Sequence, residues 1–219
     1  MVKFFRSLVV VVCLFGASAY AQTEPAAPQD TAPLPKWGAE LKGGTFYPDV
    51  NEWPDFYGND RGGSVAVTLN RALGPVFELE LDGAYFHDRG RGFYSANNRP
   101  GGDMLYELYT LGAGINIRLP VALWGWLTPY GGVSAVRAYY NETINGGDRR
   151  RGYRDGAMVR AGARILLDGV EPGAASGLQN DFDILNTLLV IEWQQMETDK
   201  VSGFDLGGES IYFGLRFEW

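Results

Sequence analysis

Glu78, Glu80 and Asp82 occupy every second position of one short stretch. In an extended strand that spacing puts all three carboxylates on one face. Arg160 and Arg164 share a face of another stretch by the same rule. Further charges recur at a common parity within their own stretches: Glu40 and Lys42, Arg118, Glu192, and Arg216 with Glu218. The acids and bases of this set nearly balance, and carboxylates facing guanidinia form charge-assisted, often bidentate hydrogen bonds. The chemistry expected of them is mutual pairing in a confined space.

Other arrangements are weaker. His87 is the lone histidine and stands beside Asp88. A nucleophile–base–orienter constellation needs more than that. No catalytic residue and no enzymatic activity are expected. Asp199, Asp205 and Glu209 could collect a hard cation, but their spacing matches no calcium loop. A solvated acidic loop is the simpler reading, and no metal or cofactor is expected. Arg149, Arg150, Arg151 and Arg154 form the densest basic patch. Arginine suits phosphate forks, so these four are candidates for lipopolysaccharide contact if they lie outside a bacterial cell.

The elements that must position these groups begin after a leader. Lys3 and Arg6 precede an apolar run from Leu8 to Phe15, followed by Ala19-Tyr20-Ala21. That is the pattern of a secretory signal peptide over residues 1–21. Cys13 is the only cysteine and falls inside it, so the mature chain is expected to lack disulfides. Without Lys3 and Arg6 the chain holds 17 basic and 26 acidic residues, a net charge of -9. A nucleic-acid partner is not expected with that sign. Residues 22–36 contain Pro25, Pro28, Pro33 and Pro35 without periodicity and read as a disordered tether.

From Trp37 onward the period is two. Eight strands are expected, over 37–47, 64–70, 76–86, 104–119, 127–140, 158–168, 184–196 and 210–219. Apolar residues alternate with polar ones in nearly all of them. The fifth is ambiguous, because Arg137 shares its parity with Pro129 and Val133. Arg137 is expected to avoid an apolar face. The connections alternate: 70–75 and 120–126 are short, whereas 48–63, 87–103, 141–157 and 197–209 are long and polar. Segment 169–183 breaks the alternation, and its residues 171–179 could form one or two helical turns. Short turns at one end and long loops at the other describe a transmembrane up-and-down barrel. An even number of strands brings both termini to the periplasmic side.

Two features favour a membrane barrel over a soluble β-sandwich. The apolar sets carry Trp37, Tyr47, Phe77, Tyr85, Tyr109, Trp193 and Trp219, which suit interfacial girdles. The chain also ends in Tyr212-x-Gly214-x-x-Phe217-x-Trp219. This resembles the C-terminal signal of outer-membrane barrel proteins, with Trp219 where phenylalanine is usual. The resemblance implies recognition by the barrel-assembly machinery. Residues 37–219 are similar to the small eight-stranded class that includes the membrane domain of outer membrane protein A and the OmpW-like and opacity-type barrels. The Leu127-Thr128-Pro129-Tyr130-Gly131 stretch matches a strand opening common there. The resemblance implies an all-β, eight-stranded antiparallel barrel in the outer membrane of a Gram-negative bacterium. The expected role is structural or surface-interacting, in contact with outer-membrane lipid and lipopolysaccharide, with a bore plugged by its charges. The alternative is a narrow channel for ions or small solutes. An apolar passage for greasy solutes fits less well with so many charges.

Overall fold

A computed structural model describes residues 35–94, 99–119, 126–144, 148–199 and 206–219. The expected signal peptide, Cys13, nearly all of the Pro-rich tether and Asp205 lie outside them. Eight antiparallel strands, each paired with its chain neighbours, close into a barrel. They are β1 (Trp37–Pro48), β2 (Gly62–Ala72), β3 (Phe77–Tyr94), β4 (Arg99–Arg118), β5 (Leu127–Ile144), β6 (Asp148–Leu166), β7 (Asn186–Thr198) and β8 (Gly208–Glu218). Among the described residues two helices interrupt the connections: α1 (Trp53–Tyr57) and α2 (Pro172–Phe182). Closure comes from β1 meeting β8, with Gly38 opposite Glu218 and Trp37 exchanging backbone hydrogen bonds with Trp219. The first and last strands thus share one rim, here the lower one.

Register sets the levels within the barrel. From Gly38, partners run through Asn70, Glu80, Gly114, Ser134, Met158, Met196 and Gly208, and return to β1 at Pro48. One circuit therefore climbs ten residues, from 38 to 48. A stagger of this kind tilts the strands by about 35–45° and leaves a bore just wide enough for side chains to fill.

The outward face between the rims is apolar. Leu41, Val65, Val67, Leu69, Leu79, Leu81, Leu111, Ile115, Ile117, Val133, Ile191, Phe213 and Leu215 are all exposed there. Trp37, Phe77 and Trp219 border this band below, and Tyr85, Tyr109, Tyr139 and Tyr153 border it above. Trp193 does not belong to either border. It pairs with Ala161 and Ile211 at mid-strand.

The structure corrects several sequence expectations. Residues 87–103 and 141–157 are mostly not loops. They continue β3, β4, β5 and β6 beyond the barrel wall as a paired four-stranded arm. Their polar character reflects water on the sheet faces rather than irregular backbone. Arg137 was expected to avoid the outward face, yet it points outward. Its guanidinium forms two hydrogen bonds to Asp155 at 2.6 and 2.9 Å and lies 4.9 Å from the Tyr153 ring. The pair sits one register step below Tyr139 and Tyr153, at the upper edge of the apolar band, where such charges remain near water. Segment 169–183 does hold a helix, with Pro172 near its start and Asp183 in a left-handed cap.

Candidate functional site

The inward faces converge on the bore, and the lower half holds the charges. Inward parity places Glu40 and Lys42 on β1, Glu78, Glu80 and Asp82 on β3, Arg160 and Arg164 on β6, Glu192 on β7, and Arg216 and Glu218 on β8; all are buried. At the bottom, two acids and two guanidinia form a closed ring. Arg164 donates to Glu78 at 2.9 Å and to Glu40 at 3.1 Å. Arg216 donates to Glu40 at 2.9 Å and to Glu78 at 2.8 Å. Arg216 Nε also donates to Glu218 at 2.7 Å. Glu218 in turn accepts from Asn186. The Arg164 guanidinium lies 4.1 Å from the Tyr130 ring centroid.

A second tier stands above the ring. Lys42 bridges Glu192 at 2.6 Å and Glu40 at 3.2 Å. Glu192 also accepts from Tyr130 at 2.6 Å and Gln194 at 2.8 Å. Arg160 pairs with Glu80 and, at 2.9 Å, with Asp82. It also donates to Ser134 at 2.7 Å. Asn116 closes this tier by donating to Glu80. Glycine makes the room: a Cβ at Gly112 would collide with the Asp82 carboxylate, and one at Gly132 with the Asn116 amide. Arg118 stands apart at the lower rim, donating to the Gly74 and Pro75 carbonyls and lying 3.4 Å from Glu78.

The upper half of the bore is different, and sequence reasoning did not find it. Above a polar layer of Ser64, Gln194, Ser210 and Tyr212 the lining is Phe46, Phe86, Leu108, Val136, Ala138, Met158 and Met196. Trp53 of α1 closes it from above. Its indole stacks on Tyr57 with centroids 4.1 Å apart and meets Tyr106 edge-on at 4.9 Å. The indole N–H donates to Asp88 at 3.0 Å. Tyr57 donates to Glu142 at 3.1 Å. Burial and the Glu142 carboxylate hold the Tyr57 phenol above its ordinary range, so it stays protonated and keeps donating. The sequence clue was the aromatic cluster Trp53-Pro54-Asp55-Phe56-Tyr57 inside an otherwise polar connection.

The bore is therefore filled at both levels. A void of about 20 Å³ remains between Phe46, Phe86, Met158, Met196 and Tyr212, room for about one water. A larger cleft of about 700 Å³ lies outside the wall, between α1 and the arm residues Arg89, Arg91, Asp103 and Leu105.

The remaining candidate residues separate. Of the arginine patch, Arg149 and Arg151 have the outward parity of β6, whereas Arg150 and Arg154 have the inward parity. His87 stacks near Tyr85 with centroids 5.7 Å apart. Among the described residues no cluster of three or more histidine, cysteine or acidic side chains could hold a metal. Of the terminal pattern, Tyr212 is buried in the bore and shares a hydrogen bond of 2.7 Å with Ser64. Gly214 lets β8 lie close to Leu41 and Lys42, and Phe217 and Trp219 lie at the lower rim beside β1.

No protein-family model and no curated protein matches this sequence. Solved structures do match. Neisserial surface protein A is 12% identical, with 84% of this chain and 96% of that one covered and a TM-score of 0.55. The attachment invasion locus protein of Yersinia pestis, Ail, is 12% identical, with coverages of 84% and 99% and a TM-score of 0.46. OprG of Pseudomonas aeruginosa is 10% identical, with coverages of 84% and 97% and a TM-score of 0.45. By their names the first is a surface protein, the second an attachment invasion locus protein and the third an outer membrane protein. The chain is an eight-stranded antiparallel up-and-down β-barrel with the fold of the small outer-membrane barrels.

Proposed function

We propose that this protein is an integral outer-membrane barrel whose bore is a structural plug and whose projecting arm serves surface interaction. The observation that carries this reading is the filling of the bore at two levels, by the Glu40–Arg164–Glu78–Arg216 ring below and the Trp53 cap above. A narrow ion path would require breaking paired charges and displacing the cap together. Planar-bilayer recording of the purified protein decides between plug and channel. The expected result is no steady ohmic conductance, and a stable conducting state would favour the channel.

The uncharged outward band supports the membrane placement. Leu81 lies near its middle and is 62% exposed on the isolated chain. Leu81→Arg is expected to destabilise the barrel by about 2–4 kcal/mol in phospholipid vesicles, the cost of an arginine near a bilayer midplane. Urea titration of vesicle-folded protein measures it. A negligible change would place this band outside lipid.

A further inference from the structure

The connection between β6 and β7 is longer than its task requires. The two strands are antiparallel neighbours, paired down to Leu166 and Leu188. A loop of about two to five residues joins such strands. Here residues 167–185 intervene and carry α2. None of the α2 side chains is buried. Ala174, Leu178 and Phe182 recur at every fourth position, with Ala175 beside them, and form one apolar stripe. Ser176 and Asn180 lie on the opposite side of the helix. Phe182 is 70% exposed, and Val170, just ahead of the helix, is 78% exposed. Among the described residues no other large apolar side chain is so exposed, those of the outward band included.

Short ties hold both ends of this segment at the lower rim. The Leu167 amide donates to the Thr187 carbonyl at 2.9 Å, and the Thr187 amide donates to the Asp168 carboxylate at 3.0 Å. At the other end the Leu185 amide donates to the Glu218 carbonyl at 2.7 Å. Val170 stands three residues after the first tie and Phe182 three before the last. Three residues reach at most about 10 Å. The same rim carries Trp37, Phe77 and Trp219, which border the apolar band. A headgroup layer extends about 5–8 Å beyond the hydrocarbon on each side of a bilayer. Val170 and Phe182 are therefore held within reach of it.

Charge narrows the choice of occupant. Asp168, Glu171, Asp181 and Asp183 are acidic, and residues 167–185 include no basic one. A second copy set against this segment would bring like charges together, which is unfavourable. Anionic lipid would meet the same repulsion. Uncharged contact with a zwitterionic headgroup layer continues the apolar band instead. A free helix with so small a stripe would bind lipid weakly, but one fixed at both ends meets the interface at a high effective concentration.

We propose that α2 is an interfacial helix, lying in the leaflet next to the lower rim with Val170 and Phe182 at the acyl boundary of zwitterionic phospholipid. This rests on the membrane placement above and adds a second lipid contact to that of the barrel wall.

The test places one cysteine at a time in the full chain on a Cys13→Ser background, as Val170→Cys, Phe182→Cys, Asn180→Cys or Leu81→Cys. Each is labelled with an environment-sensitive fluorophore and folded into phosphatidylcholine nanodiscs. A heat-modifiable gel shift checks folding. Iodide should quench the labels at 170 and 182 about threefold less than the label at 180, because one side of an interfacial helix is in lipid and the other in water. Exchanging half of the lipid for phosphatidylglycerol should reduce that shielding. Equal quenching at 180 and 182, with the label at 81 still shielded, would overturn the proposal and leave the membrane placement intact. Quenching at 81 as strong as at 180 would overturn both. Shielding at 182 that grows with protein concentration in micelles would assign the stripe to a second copy, and shielding strengthened by phosphatidylglycerol would assign it to charge. Either result would also overturn the proposal.

Discussion

Replacing Arg164 by Met is expected to cost the folded barrel about 3–5 kcal/mol, the usual penalty for removing one partner from a buried ion pair. Arg164 is buried and donates to both Glu40 and Glu78. Without it, those two carboxylates share Arg216 as their remaining guanidinium within the ring, and Arg216 already holds Glu218. Lys42 still reaches Glu40 at 3.2 Å and Arg118 lies 3.4 Å from Glu78, but Arg216 is then the one guanidinium that bridges the two acids. Methionine nearly preserves volume, so the loss reports charge rather than packing. The partner change tests this directly. Adding Glu78→Gln to Arg164→Met removes the surplus charge and should recover a large part of the stability, giving strong coupling in a double-mutant cycle. Urea titration of lipid-folded protein supplies all the values needed. A cost below about 1 kcal/mol would mean the ring behaves like an exposed pair in water.

Trp53→Ala is expected to remove about 3–5 kcal/mol of the free energy that holds α1 on the barrel, the range for truncating a buried large aromatic. α1 has five residues, and its buried side chains are Trp53 and Tyr57. The indole contacts Tyr57, Phe86 and Tyr106 and donates to Asp88. A helix this short has almost no stability of its own, so its position depends on those contacts. The loss should therefore be local. Hydrogen exchange should accelerate across 49–61, and protease should cut there, while the strand amides stay protected. Trp53→Phe separates the two contributions. It keeps most of the apolar contact but leaves Asp88 with only the Arg89 amide among the two donors it now has. An intermediate effect is expected. If Trp53→Ala left exchange in 49–61 unchanged, α1 would be held by contacts other than its indole.

Much of the wall was legible in the residues alone. Glu78, Glu80 and Asp82 at alternate positions must share a face. Lipid tolerates none of them near its midplane, so they point to the bore. The same parity places Glu40, Lys42, Arg160, Arg164, Glu192 and Arg216 inside, where the structure puts them. Strand number and the sharing of one rim by the first and last strands follow from the same alternation. The helix in 169–183 showed itself by breaking the alternation of short and long connections.

What the residues alone did not decide is which groups meet. Arg137 has the parity of the outward face, and only the register with β6 brings Asp155, eighteen positions away, alongside it. The arm looked like loops because its strands are polar on both faces, and polar strands in water carry no period to read. Their pairing is instead continued upward from the barrel wall, one ladder templating the next. The two-tier bore is the largest difference. Parity is a local property of the chain, set by the pleat of each strand. Height in the barrel is a global one, set by a stagger that accumulates over eight strands. That stagger gathers Phe46, Phe86, Leu108, Met158 and Met196 at one level above the charges, and the apolar cup they form accepts Trp53. Side-chain alternation alone determined what faces inward, and only closure of the barrel decided what those side chains touch.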